Sequence, residues 1–155
     1  MTIRQIKKNQ IILLTDFIYE AIFQRDSENL APRTIIQEPG VWAYIDGFNT
    51  KKDDHCLVAE VDGKIVGAVW VRCIDGYGKV DSKTPEFAIS LYPQYRGKGI
   101  GTALMRAMLD YLKKSGYTKT SLAVQKDNYA VKMYKNVGFE TIGENEEGFI
   151  MVCKL

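Results

Sequence analysis

The segment from Phe87 to Val124 constrains the fold more than any other part of the chain. A strand-like run, Phe87-Ala88-Ile89-Ser90-Leu91, leads into Tyr95-Arg96-Gly97-Lys98-Gly99-Ile100-Gly101-Thr102. An amphipathic stretch follows, with Ile100, Ala103, Leu104, Ala107, Met108, Tyr111 and Leu112 on one helical stripe, ended by Gly116. Ser121 to Val124 then reads as a second strand. Strand, helix and strand in that order call for a right-handed crossover joining two parallel neighbours in one sheet. The glycines at 97, 99 and 101 lie at the start of the crossover helix, where no Cβ blocks approach to the backbone. Free N–H groups and the positive end of the helix dipole make such a turn a cradle for a phosphate or pyrophosphate. Arg96 and Lys98 add positive charge at its rim. A plain glycine turn flanked by two solvated basic residues is the simpler alternative.

Spacing narrows the anion. G-x-G-x-x-G would need a glycine where Thr102 stands, and no G-x-x-x-x-G-K-[ST] loop is present. What remains is Arg-x-x-Gly-x-Gly, Arg96 to Gly101. Downstream, Asn128-Tyr129-Ala130-Val131-Lys132-Met133-Tyr134-Lys135-Asn136-Val137-Gly138-Phe139 has the form Asn-x-x-Ala-x-x-x-Tyr-x-x-x-Gly-Phe. These two linked motifs resemble those of the GNAT superfamily of acetyl-CoA-dependent N-acyltransferases. The resemblance runs from about Pro85 to the C-terminus and is weaker over Cys56 to Arg72.

The remainder of the chain reads as one α/β (α+β) domain over residues 1–155. Thr2 to Ile6 alternates as a strand, and Asn9 is placed to cap a helix carrying Ile11, Leu14, Ile18 and Ile22 on one face. Pro32, Pro39-Gly40 and Gly47 break residues 24 to 50 into short helices and loops lying over the sheet. His55–Val61 and Lys64–Arg72 flank the turn dipeptide Asp62-Gly63 as a hairpin. Asp75 to Thr84 is a loop, and Glu140–Glu144 with Phe149–Leu155 closes the chain as a second hairpin. The expected architecture is a mixed, mostly antiparallel sheet with one parallel pair and helices on both faces. The resemblance implies that this pair splays apart to admit the pantetheine arm of the cofactor.

Composition excludes several functions. The net charge of +2 comes from nearly balanced acids and bases, which gives no basic face for nucleic acid. Cys56, Cys73 and Cys153 lack metal-ligand or C-x-x-C spacing and read as small buried hydrophobes of a reducing compartment. Ile11-Ile12-Leu13-Leu14 is too short to span a membrane. The expectation is a cytoplasmic protein, monomer or homodimer, without metal, acting on a small-molecule or peptide amine.

By resemblance, Ile89, Ser90 and Leu91 present backbone groups to the acetyl carbonyl and pantetheine, and Gly97 to Thr102 hold the pyrophosphate. Asn128 either bonds the pantetheine arm or caps a helix. Tyr134 is the candidate acid: a phenol stays protonated at neutral pH and can donate to the departing thiolate. Its alternative is a core tyrosine. A lysine-like amine has a pKa near 10.4, so at pH 7 its neutral form costs about 4.6 kcal/mol. Glu86 is the candidate base, acting through water. It shares parity with Ala88 and Ser90, and where the superfamily often carries a strand glutamate this chain has Pro85. The alternative for Glu86 is an edge glutamate bonded to solvent or backbone. Trp42, Tyr44 and Trp70 are read as acceptor-pocket aromatics or core. Glu144, Glu146 and Glu147 attract a cationic acceptor or are simply solvated, and His55 is structural or exposed. The expected reaction is direct attack by a primary amine on acetyl-CoA; a non-catalytic acyl-CoA sensor or a general nucleotide-binding domain is the rival.

Overall fold

A computed structural model describes residues Met1 to Leu155. Seven strands form one sheet: β1 (Thr2–Gln5), β2 (His55–Val61), β3 (Lys64–Arg72), β4 (Glu86–Leu91), β5 (Lys119–Gln125), β6 (Phe139–Glu144) and β7 (Gly148–Lys154). Their spatial order is β1-β2-β3-β4-β5-β7-β6. Every pairing is antiparallel except β4 with β5. The β2–β3 turn forms because Asp62 (φ 49°) and Gly63 (φ 78°) both adopt the left-handed conformation that matches strand twist.

Four helices cover the two faces: α1 (Leu14–Ala21), α2 (Pro39–Trp42), α3 (Ile100–Lys114) and α4 (Ala130–Val137). Helix α3 buries Ile100, Leu104, Met105, Met108 and Leu112 against Val69, Phe87 and Met151. Each such side chain contributes about 1.5–3 kcal/mol of burial. On the other face, Leu14, Phe17 and Ile18 of α1 pack with Val58, Ala68 and Trp70. Strand alternation divides β4 between these cores: Phe87 and Leu91 face α3, while Ser90 faces α1 and donates from Oγ to the Phe17 carbonyl at 2.6 Å.

Two local expectations change. The first helix opens as a 3-10 turn over Lys8–Leu13, so Asn9 lies inside it; the Lys7 N–H is instead satisfied by Gln10 Oε1 at 3.0 Å. Cys56 and Cys153 are buried as expected, but Cys73 is only half-buried at the end of β3.

The segment between α2 and β2 is pinned by a buried ion pair. Arg72 Nε donates to Asp54 Oδ1 and Nη2 to Oδ2, both at 3.1 Å, and Nη1 donates to the carbonyls of Ala43 and Asp46. Asp54 also accepts the N–H groups of Asn49 and Lys51. With every nitrogen of Arg72 bonded, the pair tolerates burial, and removing one partner strands the other. Asp54→Ala should therefore lower unfolding free energy by about 3–5 kcal/mol, read from urea denaturation. A loss below about 1 kcal/mol would show that the pair does not hold this segment.

Candidate active site

Strands β4 and β5 meet at one residue pair, Glu86 with Ser121. The Ser121 N–H donates to the Pro85 carbonyl at 3.1 Å, and Thr120 Oγ1 donates to that same carbonyl at 2.8 Å. Backbone groups alternate sides along a strand, so those of Phe87, Ile89 and Leu91 also face β5. Beyond the single pair the strands diverge, and the Ile89 amide and Phe87 carbonyl face a gap. The gap opens into a cavity of about 440 Å³ lined by residues of both faces, among them Phe87, Ile89, Ala123 and Tyr134.

A clasp closes the narrow end. Glu86, 1% exposed, accepts from Gly78 N–H and Tyr44 Oη on Oε1 (2.8 and 2.9 Å) and from Gly76 N–H on Oε2 (2.8 Å). The Gly78 carbonyl in turn accepts from Ser121 Oγ at 2.7 Å. The 75–84 loop thus ties β4 to β5. It lies so close to β5 that a Cβ on Gly78 would sit 2.7 Å from the Leu122 carbonyl carbon. Burial raises the Glu86 pKa, and the bonds from Gly78, Tyr44 and Gly76 oppose that rise. Glu86 does not line the cavity; Tyr44, bonded to it, does. Burial, then the Glu86 charge, holds the Tyr44 phenol above its ordinary pKa.

At the wide end lies the glycine loop. Gly97 (φ 74°) and Gly99 (φ 84°) are left-handed, and nothing lies within 4 Å of where their Cβ atoms would be. From Gly97 to Thr102 the amide N–H groups donate to no carbonyl or side chain of the protein; the ladder begins with Ala103 N–H to the Gly99 carbonyl at 3.1 Å. These donors suit a pyrophosphate. Ile100 and Gly101 are buried beneath the loop, and Gly101 lies over Met133 of α4 and Leu91 of β4. Arg96 contacts the Glu20 carboxylate and carbonyl at 3.3 Å, and the Lys98 ammonium lies over the Tyr95 ring.

Tyr134 projects from α4 into the cavity, edge-on to Phe139 with centroids 6.0 Å apart. Its hydroxyl makes no hydrogen bond within the protein, yet it is not a buried polar atom lacking a partner, so it opens onto the cavity. Burial pushes its pKa up to about 12, so it holds its proton across the physiological range. Asn128 Oδ1 accepts the Ala130 N–H at 2.9 Å, a turn-capping bond that leaves the side-chain NH2 free.

Other candidates are dispersed. Trp70 is fully buried, its indole N–H donating to the Tyr44 carbonyl at 3.0 Å. Trp42 packs against the same core. Glu147 lines the cavity, whereas Glu144 pairs with Lys126 at 2.7 Å and Glu146 is exposed. His55 sits between the hydroxyls of Tyr117 and Tyr111, away from the cleft. No group of His, Cys, Asp or Glu is placed to hold a metal ion. No helix is long and apolar enough to cross a membrane. Sequence reasoning passed over Gly76, Tyr77 and Gly78; the alternation Gly-Tyr-Gly was the available sign of a close backbone approach.

Comparison with known proteins agrees with this geometry. The chain is 34% identical over 104 residues to an uncharacterised N-acetyltransferase of Methanocaldococcus jannaschii, covering 64% of this chain and 46% of that protein. It is 37% identical over 90 residues to an acetyltransferase of Pectobacterium atrosepticum, covering 57% and 60%. The aligned part is thus less than two thirds of either relative. The fold matches that of the PaiA N-acetyltransferase of Thermoplasma acidophilum in complex with coenzyme A (TM-score 0.67, 20% identity, 99% of this chain and 98% of that one). It also matches an N-acetyltransferase from Staphylococcus aureus Mu50 (TM-score 0.71, 20% identity, 99% and 96%). The profile of the acetyltransferase (GNAT) family matches residues 19–139, from α1 through both motifs to the start of β6. With most of its length inside that match, the chain belongs to the GNAT acetyltransferase family.

Proposed function

We propose that the protein transfers an acetyl group from acetyl-CoA to a primary amine by direct attack in a ternary complex. The unpartnered amide N–H groups from Gly97 to Thr102, at the wide end of the splayed strands, carry this reading. They hold the pyrophosphate at the N-terminus of α3, which directs the pantetheine arm along β4 into the gap. There the Ile89 N–H, facing the gap, is available to the thioester carbonyl as an added strand would be. The apolar cleft lowers the pKa of an entering amine and offsets part of the cost of its neutral form.

The amine nitrogen attacks the thioester carbon, the carbonyl oxygen takes up negative charge, and the nitrogen loses a proton as the carbon–sulfur bond breaks. Tyr134 donates a hydrogen bond to the departing sulfur, and the thiolate takes its proton from solvent. A thiolate whose conjugate acid lies near 8.5 cannot fully deprotonate a phenol near 12, so hydrogen bonding to the developing charge is the main contribution.

Glu86 acts here as a positioning residue. Three donors hold its carboxylate, and Tyr44 stands between it and the cleft, so the amine proton leaves to solvent. Asn128 is assigned to the pantetheine arm through its free amide NH2.

Thiol release from acetyl-CoA across a panel of amines tests the reading, with thermal stabilisation by acetyl-CoA but no release from any amine favouring a sensor. Tyr134→Phe should lower kcat by about 100-fold with little change in the KM for acetyl-CoA. Wild-type kcat should hold its plateau through pH 10, because the protonated phenol is lost only as pH rises through about 12; a falling limb near 10 would point to an unburied phenol. Gly99→Ala should raise the KM for acetyl-CoA, since a left-handed alanine costs about 1–2 kcal/mol. Glu86→Gln would turn an NH2 toward a backbone N–H, costing about 1–3 kcal/mol of stability, and should raise the acceptor KM while leaving the shape of the pH profile unchanged. Loss of one limb of that profile would instead make Glu86 the base.

A further inference from the structure

We infer that the acceptor is an apolar monoamine: a primary amine on an aryl or alkyl body, with neither a carboxylate nor a second ammonium. This rests on the acetyltransferase reading and follows from the wall of the cleft opposite the cofactor side. Strand alternation turns Ala88 of β4 toward α1. Ala123 of β5 and its register partner Ile150 of β7 face the same way, and the small side chains leave room above the sheet. Ile18 and Ile22 of the α1 segment close one side.

Two tyrosines close the other side. The rings of Tyr44 and Tyr77 lie near-parallel, 18° apart in plane with centroids at 6.3 Å. Both are held in place. The Tyr44 hydroxyl donates to Glu86 and accepts the Tyr77 N–H at 3.1 Å. The Tyr77 ring is seated on Gly40, where an added Cβ would lie 2.3 Å from its hydroxyl oxygen. The wall is therefore a preformed aromatic face, and the Tyr44 hydroxyl is already used.

Charge sets the rest of the specificity. No lysine or arginine lines the cavity, so an amino-acid carboxylate entering it would lose water without gaining a partner. Glu147 at the hairpin is the one ionised lining group, which matches one ammonium and leaves the others of a polyamine against apolar surface. A peptide amino terminus would place a run of amides against a lining whose only uncharged polar groups are Gln125, Asn145 and three tyrosine hydroxyls, so most of those amides would lose water without gaining a partner.

Initial rates of thiol release at saturating acetyl-CoA would be compared for 2-phenylethylamine, hexylamine, phenylalanine, spermidine and a short alanine-initiated peptide. The two monoamines should exceed the other three in kcat/KM by about tenfold or more. Tyr77 is exposed enough for Tyr77→Ala to fold, and that variant should raise the KM for 2-phenylethylamine about tenfold, more than that for hexylamine. Glu147→Gln should raise both values of KM at low salt and have little effect at high salt. Preference for phenylalanine, spermidine or the peptide would overturn the inference while upholding acetyl transfer. Thermal stabilisation by acetyl-CoA without turnover of either monoamine would also overturn it. Absence of any stabilisation by acetyl-CoA would instead remove the acetyltransferase reading on which it rests.

Discussion

Everything at the site depends on how β4 and β5 part after one residue pair. A parallel pair in the middle of a sheet would ordinarily continue its ladder, because unpaired backbone groups are costly once removed from water. Here the ladder ends at Glu86 and Ser121, and the exposed edges become a place where a linear ligand can bond as a strand does. The divergence is held at its narrow end by the bonds of Ser121 and Thr120 to the Pro85 carbonyl and by a bridge through the 75–84 loop. The Glu86 carboxylate takes the N–H groups of Gly76 and Gly78, and the Gly78 carbonyl takes the Ser121 hydroxyl. A charged acceptor at the root of the gap serves as a joint: strands can separate above it because the loop, together with the one direct pair and the bonds to the Pro85 carbonyl, keeps them in register.

The two ends of the cleft use different physics. At the glycine loop, neutral N–H groups and the α3 dipole face solvent, and Arg96 is drawn toward Glu20, away from a purely electrostatic role. Fixed dipoles of this kind suit a pyrophosphate without carrying a permanent charge into an apolar cleft. Inside the cleft the lining is almost wholly apolar, and burial keeps Tyr134 in its protonated form. The low-dielectric surroundings that raise that phenol's pKa also lower the pKa of an entering amine. On the proposed reading, one environment thus favours both the neutral nucleophile and the protonated donor.

A second structural pair, Arg72 with Asp54, determines where the Tyr44 and Tyr77 wall of the cleft stands. By taking the carbonyls of Ala43 and Asp46, Arg72 anchors the turn that carries Tyr44. Tyr44 then reaches Glu86, and Tyr77 reaches Tyr44. The wall is therefore connected to the closed end of the sheet through two carboxylates, neither of which lines the cleft. Elsewhere the Arg25 and Asp127 side chains meet, Nη2 to Oδ1 at 2.6 Å, linking the segment after α1 to that after β5. Both are exposed, so this contact is sensitive to salt in a way the buried pairs are not.

Local chemistry made the parts of this protein legible in the chain. Asp62-Gly63 specifies its turn through positive φ, the 100–112 stripe specifies α3 through its period, and the two motifs place the glycine loop and Tyr134 in order along the fold. Each of these is a property of neighbours in sequence. Parity along β4 also placed Glu86 correctly on the face away from Phe87 and Leu91. It could not show that three donors, from residues 44, 76 and 78, converge on that carboxylate, since those bonds are made across loops with no period of their own. The 3-10 opening of the first helix was likewise hidden, because Gln10 rather than Asn9 satisfies the free N–H group there. The sequence by itself determined the crossover, the place of the glycine loop and the family. Tertiary structure alone decided what Glu86 is bonded to and how Tyr44 and Tyr77 wall the cleft, because burial and convergence of distant groups are set only when the chain packs.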